Sequence, residues 1–146
     1  MEKDTCFVYD IKYLVWRSTG KFFMERFDEC RVYPPTLIYQ NPFYAPVKYY
    51  QKLLHEKIRV KAYYTYVNNK KNLVSQTTDH TCFSTFDFYI GNTFLHREVD
   101  LQDLERFLDG KHVNVNYVHN RNTIIVAVRQ EMEQLVGLYN KKIDGK

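Results

Sequence analysis

Small residues are scarce in this 146-residue chain, which has five glycines, three alanines and one tryptophan. It contains no GxGxxG, no GxxxxGK[ST] and no serine-centred elbow, so dinucleotide binding, P-loop chemistry and α/β-hydrolase chemistry have no carrier in it. Cysteines are few: Cys6, Cys30 and Cys82 are odd in number and share no CxxC spacing. That speaks against a disulfide framework and for the reduced thiols of a cytosol. Long apolar runs are missing too, and no segment approaches the ~18 residues of a membrane helix. The opening MEKDTCFVYD carries acids and no apolar stretch of signal-peptide length. The expectation is a soluble chain of the cytoplasm (the host cytoplasm, for a viral protein), with no membrane partner. No stretch reaches the level of a family motif.

What is abundant is aromatic: 13 Tyr and 10 Phe within a composition that is 45% apolar and 26% charged. Those last two values are ordinary for a globular protein and unlike a disordered chain. The length fits a single globular domain over residues 1–146, able to bury roughly 68–70% of its unfolded surface. Phe, Tyr, Ile, Asn and Lys outnumber Gly, Ala, Arg and Pro. This codon bias points to an AT-rich genome such as that of a low-GC bacterium, its phage or plasmid, or a large DNA virus.

Periodicity divides the chain into alternating patterns. Residues 6–17 place Phe7, Tyr9, Ile11, Tyr13 and Val15 at period two, a strand, and STGK supplies a hairpin bend. KFFMERFDECRVY at 21–33 fits a strand or a helix, with the preceding turn favouring a strand. All four prolines fall in PPTLIYQNPFYAP, which reads as an ordered loop sealed by Leu37, Ile38, Phe43 and Tyr44. Residues 46–57 read as a helix with a Val47, Tyr50, Leu54 stripe. IRVKAYYTYV reads as a strand with Ile58, Val60, Ala62, Tyr64 and Tyr66 inward and Arg59, Lys61, Tyr63 and Thr65 outward. NNKKN is a loop, and TCFSTFDFYIG is a strand with Phe86, Phe88 and Ile90 inward.

DLQDLERFLDG reads as a helix capped by Asp100 and ended by Gly110. HVNVNYV and TIIVAV then read as strands turned by HNRN, and RQEMEQLVGLYNKK as a helix with Met132, Leu135, Val136 and Tyr139 on one face. The order ββ-α-ββ-α-ββ-α predicts an α+β fold, an antiparallel sheet of about six strands with three helices.

Charge is uneven. Residues 30–78 net +7 and residues 79–110 net −5, within a chain of formal charge +4. The stretch 48–71 holds seven Lys or Arg and five Tyr around one acid, Glu56. Its outward residues, Lys48, Lys52, Arg59, Lys61, Tyr63, Lys70 and Lys71, form the candidate surface for nucleic acid or an acidic protein. Cations neutralise phosphates and an exposed tyrosine stacks on an unpaired base. The bland alternative is a solvated basic face that complements the acidic 79–110 segment of the same molecule or of a partner copy. A protein-directed inhibitor or homodimeric assembly module, acting through aromatic and acidic surfaces, is the rival function.

Chemistry has thinner support. His80 and Cys82 in DHTC would share a strand face, but a zinc site wants about four donors, and Cys6, Cys30, His96, His112 and His119 are scattered. HREVD at 96–100 offers His96 and Glu98 on one face and Arg97 on the other, which a small metal-independent nuclease could combine with Lys61 or Arg59. The sequence assigns no catalytic residue, metal or cofactor.

Overall fold

The computed structural model describes residues 10–77 and 82–145. The fold is mixed α+β, with several small antiparallel sheets and four helices among the described residues. The expected single sheet of about six strands with three helices does not form. Tight turns close strands locally into hairpins, and among the described residues three of the four sheets are two-stranded. The chain divides into two compact units, Met1–Tyr44 with Glu131–Lys146, and Ala45–Gln130.

In the first unit β1 (Lys12–Ser18) and β2 (Lys21–Phe27) pair antiparallel. Their two-residue turn puts Thr19 at φ 49° and Gly20 at φ 78°, a backbone hand that matches the twist of paired strands. The strand reading of 21–33 therefore holds over Lys21–Phe27. β3 (Thr36–Ile38) adds to the far side of β2, directly after Pro34 and Pro35. At the edge of a ladder the missing proline N–H groups cost little. Met24, Ile38, Leu135 and Tyr139 form the core, with Tyr13, Val15, Met132 and Val136 packed on it. The helical stripe expected at 132–139 is thus the buried one. The Tyr139 hydroxyl accepts the Arg26 N–H at 3.1 Å, so the ring's polar end is satisfied inside the core.

In the second unit the helix expected at 46–57 breaks at Tyr49 into α1 (Tyr44–Lys48) and α2 (Tyr50–His55). Leu53 and Tyr50 face the core, while Val47 and Leu54 of the expected stripe are exposed. Two hairpins follow, β4 (Ala62–Val67) with β5 (Lys70–Ser75) and β6 (Phe83–Ile90) with β7 (Thr93–Asp100). Leu95 and Val99 of β7 join Leu53, Leu104, Ile125 and Val126 in the core, with Phe86 and Phe88 of β6 against them, as their alternation predicted.

Two expectations fail beyond this point. The helix expected over 100–110 is a 3-10 turn (Leu101–Leu104), followed by β8 (Phe107–Leu108) paired with β9 (His112–Val113). Asp100 does cap, accepting the Gln102 N–H at 2.9 Å, but Asp109 and Gly110 at positive φ close a miniature hairpin instead of ending a helix. The final strand pair does not form either: of HVNVNYV only His112–Val113 is a strand, and it pairs with β8. His119, Asn120 and Arg121 of HNRN lie in α3 (Tyr117–Arg121), and IIVAV opens α4 (Ile124–Asp144). An apolar run buried all round reads alike as a strand or a helix, and Ile125, Val126 and Val128 are buried in the latter.

Two asparagines of this region, Asn114 and Asn120, are buried side chains bonded to backbone. Asn114 Nδ2 donates to the carbonyls of Asp103 and Glu105, and its Oδ1 accepts from Ala62 and Asn116 N–H groups. They hold irregular segments that no ladder supports, which is what unpaired backbone in an interior requires.

Candidate nucleic-acid interface

The candidate surface is carried by the β4–β5 hairpin. Asn68 and Asn69 form its two-residue turn at φ 49° and 60°, a left-handed pair that asparagine tolerates. The register then places Tyr64 opposite Leu73 and Tyr66 opposite Lys71. All four are exposed, Tyr64 at 46% and Tyr66 at 70%. The Lys71 ammonium sits 3.8 Å from the centre of the Tyr64 ring, a cation–π contact that holds both on one face.

This inverts the sequence reading, in which Tyr64 and Tyr66 faced inward and Tyr63 faced out. Tyr63 is half-buried, its ring 4.3 Å from that of His112. Period two assigns residues to faces but does not say which face meets the core. Here burial is set at the base of the strand, where Lys61 and Ala62 both lie inside. Lys61 retains 6% exposure. Its ammonium bonds Gln102 Oε1 and its N–H bonds Asp103 Oδ1 at 2.7 Å. Burial raises the Asp103 carboxyl above its ordinary value, an effect opposed by that N–H.

The other expected cations are exposed. Lys48 and Lys52 lie 5.1 and 6.0 Å from the Tyr49 ring, so the structure brings these two together on α1 and α2. Arg59 is exposed with its backbone fixed by Asn120. Lys70 closes the hairpin opposite Val67, also exposed. Sequence reasoning missed Tyr64, Tyr66 and Leu73 as surface residues because NNKKN was read as a loop. The available signal was an Asn-Asn pair flanked by β-formers, the mark of a two-residue hairpin turn.

The β6–β7 hairpin presents a different surface. Phe83, Asp87, Tyr89, Phe94, His96 and Glu98 are exposed on its outer side. Asp87 Oδ1 lies 2.6 Å from His96 Nδ1, and Glu98 Oε1 lies 3.3 Å from His96 Nε2. The hydrogen bond to Asp87, then that to Glu98, raises the His96 pKa above the ordinary 6.5. His96 and Glu98 do share a face, as alternation required. Two of the cations proposed to join them are engaged elsewhere: Lys61 is buried, and the Arg97 guanidinium donates to the Leu53 and Leu54 carbonyls at 2.6–2.8 Å; Arg59, the third, is exposed.

Among the described residues no group of three or more His, Cys, Asp or Glu side chains is arranged to hold a metal ion. Cys6 and His80 lie outside the described residues; Cys82 is free and exposed. Cys30 is disulfide-bonded, which corrects the expectation of reduced thiols for that residue. No helix among the described residues is long and apolar enough to cross a membrane. The chain matches no protein family, no curated protein and no solved structure.

Proposed function

We propose that the protein binds single-stranded nucleic acid through the outer face of the β4–β5 hairpin, with Tyr64 and Tyr66 stacking on bases and Lys71 meeting phosphate, while Lys70, opposite Val67, adds positive charge from the other face of the ribbon. The observation that carries the reading is the pair of exposed tyrosines beside Lys71 on one ribbon face. Base–aromatic stacking contributes about 1–3 kcal/mol per base and tolerates any sequence. Lys48, Lys52 and Arg59 add positive potential within a segment of net charge +7. Lys61 and Tyr63 drop out of the contact set, the first by burial and the second by packing on His112. Nucleic acid is the partner this reading implies.

The test is fluorescence anisotropy of a labelled oligothymidylate across a salt series. Binding that weakens linearly in log K against log salt, and that Tyr66→Ala weakens about 5- to 150-fold, supports the reading. Absence of binding at low salt refutes it.

A second reading, a protein-binding or self-associating module, draws on the β6–β7 outer face. Phe83, Tyr89 and Phe94 are exposed there among Asp87 and Glu98. Aromatic residues of that kind are enriched at protein interfaces. Light scattering separates a dimer from a monomer, and Tyr89→Ser with Phe94→Ser would abolish the dimer.

A further inference from the structure

The first unit contains a groove of about 460 Å³ between β3 and the C-terminal half of α4. Its floor is Ile38, Leu135 and Tyr139, all buried core residues. Leu138 and Tyr39 line it too, and both are exposed, Tyr39 at 84%. Lys141 and Lys142 also line it, and among the described residues no acidic side chain does. The Lys142 ammonium lies 5.5 Å from the Tyr39 ring and makes a 3.5 Å contact to the Leu37 carbonyl. An ammonium has three donors, so one long bond leaves others for a second oxygen.

We propose that this groove binds a single-chain amphiphile with an anionic head, of which a long-chain carboxylate is the simplest form. The volume falls in the range of small-molecule sites, roughly 300–1,000 Å³. An apolar floor favours an alkyl chain, since each buried methylene contributes about 0.8 kcal/mol. Two cations and, among the described residues, no acid in the lining select the sign of the head: a carboxylate is attracted, whereas a quaternary ammonium on the same chain is repelled. Gln40 and Thr36 line the same groove and offer further hydrogen-bond donors beside the lysines. The proposal is independent of the nucleic-acid reading, whose residues all lie in the second unit.

Isothermal titration of the full chain with dodecanoate below its micelle threshold tests the proposal, with dodecyltrimethylammonium as the control. The expected result is saturable binding of one dodecanoate per chain. Reversal of both lysines (Lys141→Glu with Lys142→Glu) should weaken it about tenfold, from lost attraction and added repulsion. Methyl NMR shifts at Ile38, Leu135 and Leu138 should track the titration in the unaltered protein, a readout independent of whether the double variant folds. No saturable binding, equal affinity for the cationic amphiphile, or shifts centred elsewhere would overturn it.

Discussion

The side chain of Asn120 pairs with the backbone of Arg59 in both directions: Oδ1 accepts the Arg59 N–H at 2.9 Å, and Nδ2 donates to the Arg59 carbonyl at 2.8 Å. Nδ2 also reaches the Asp103 carbonyl at 2.8 Å. One buried amide thus stands in for a strand neighbour. Asn120→Ala would orphan these backbone groups at about 1–3 kcal/mol each where water cannot replace the partner. The expected outcome is a loss of at least about 2 kcal/mol in urea unfolding. Asn120→Asp fares no better, because a carboxylate oxygen would face the two carbonyls.

Arg97 closes the C-terminal end of α2 through three bonds to the Leu53 and Leu54 carbonyls. Arg97→Ala should cost about 1–3 kcal/mol. Arg97→Lys should restore little of it, since an ammonium lacks the planar fork. Thermal unfolding of the pair of variants checks this.

His96 titrates with a raised pKa because Asp87, then Glu98, bonds its imidazolium. A histidine raised in the folded state contributes stability below its unfolded value, and this contribution fades as pH rises through the folded value. Stability should therefore fall as pH climbs from the ordinary 6.5 upward. In Asp87→Asn that slope should diminish and the NMR titration of His96 should move down toward its ordinary value.

Lys61 and Lys71 test which cations face a ligand. Lys71→Ala should weaken oligonucleotide binding across all sequences and reduce the salt slope by about one. Lys61→Ala should leave affinity intact yet lower stability by about 1–3 kcal/mol, because the buried Lys61 side chain and its bond to half-buried Gln102 are lost. Loss of binding in Lys61→Ala with unchanged unfolding would contradict this assignment.

Cys82 is free and exposed, whereas Cys30 is disulfide-bonded. Maleimide labelling followed by peptide mapping should modify Cys82 without reductant and Cys30 only after reduction. Labelling of Cys30 in the unreduced protein would count against the disulfide.

The sequence was most legible where its pattern had one physical solution. Tyr13 and Val15 on β1, Phe86 and Phe88 on β6, and the Met132 to Tyr139 stripe all pack as their periods require. It was least legible where two solutions shared a pattern. TIIVAV is apolar on every side, and that suits a buried helix as well as a strand. LQDLERFL carries leucines at helical spacing, yet Leu104 and Leu108 reach the core through a 3-10 turn and a two-residue bridge. In the candidate interface the charge of 48–71 was plain, but the placement of Lys61 depends on Gln102 and Asp103, some 40 residues away. No local rule conveys such a contact.

α4 supplies Ile125 and Val126 to one core and Leu135 and Tyr139 to the other. Neither core can close before this helix exists. A growing chain would therefore leave the ribosome with its small sheets lacking a closed core, and two-stranded hairpins are marginal alone in water. Folding of this protein is accordingly set to follow the synthesis of residues 124–144, and until then its tyrosine-rich ribbons are an obligation on whatever shields nascent chains.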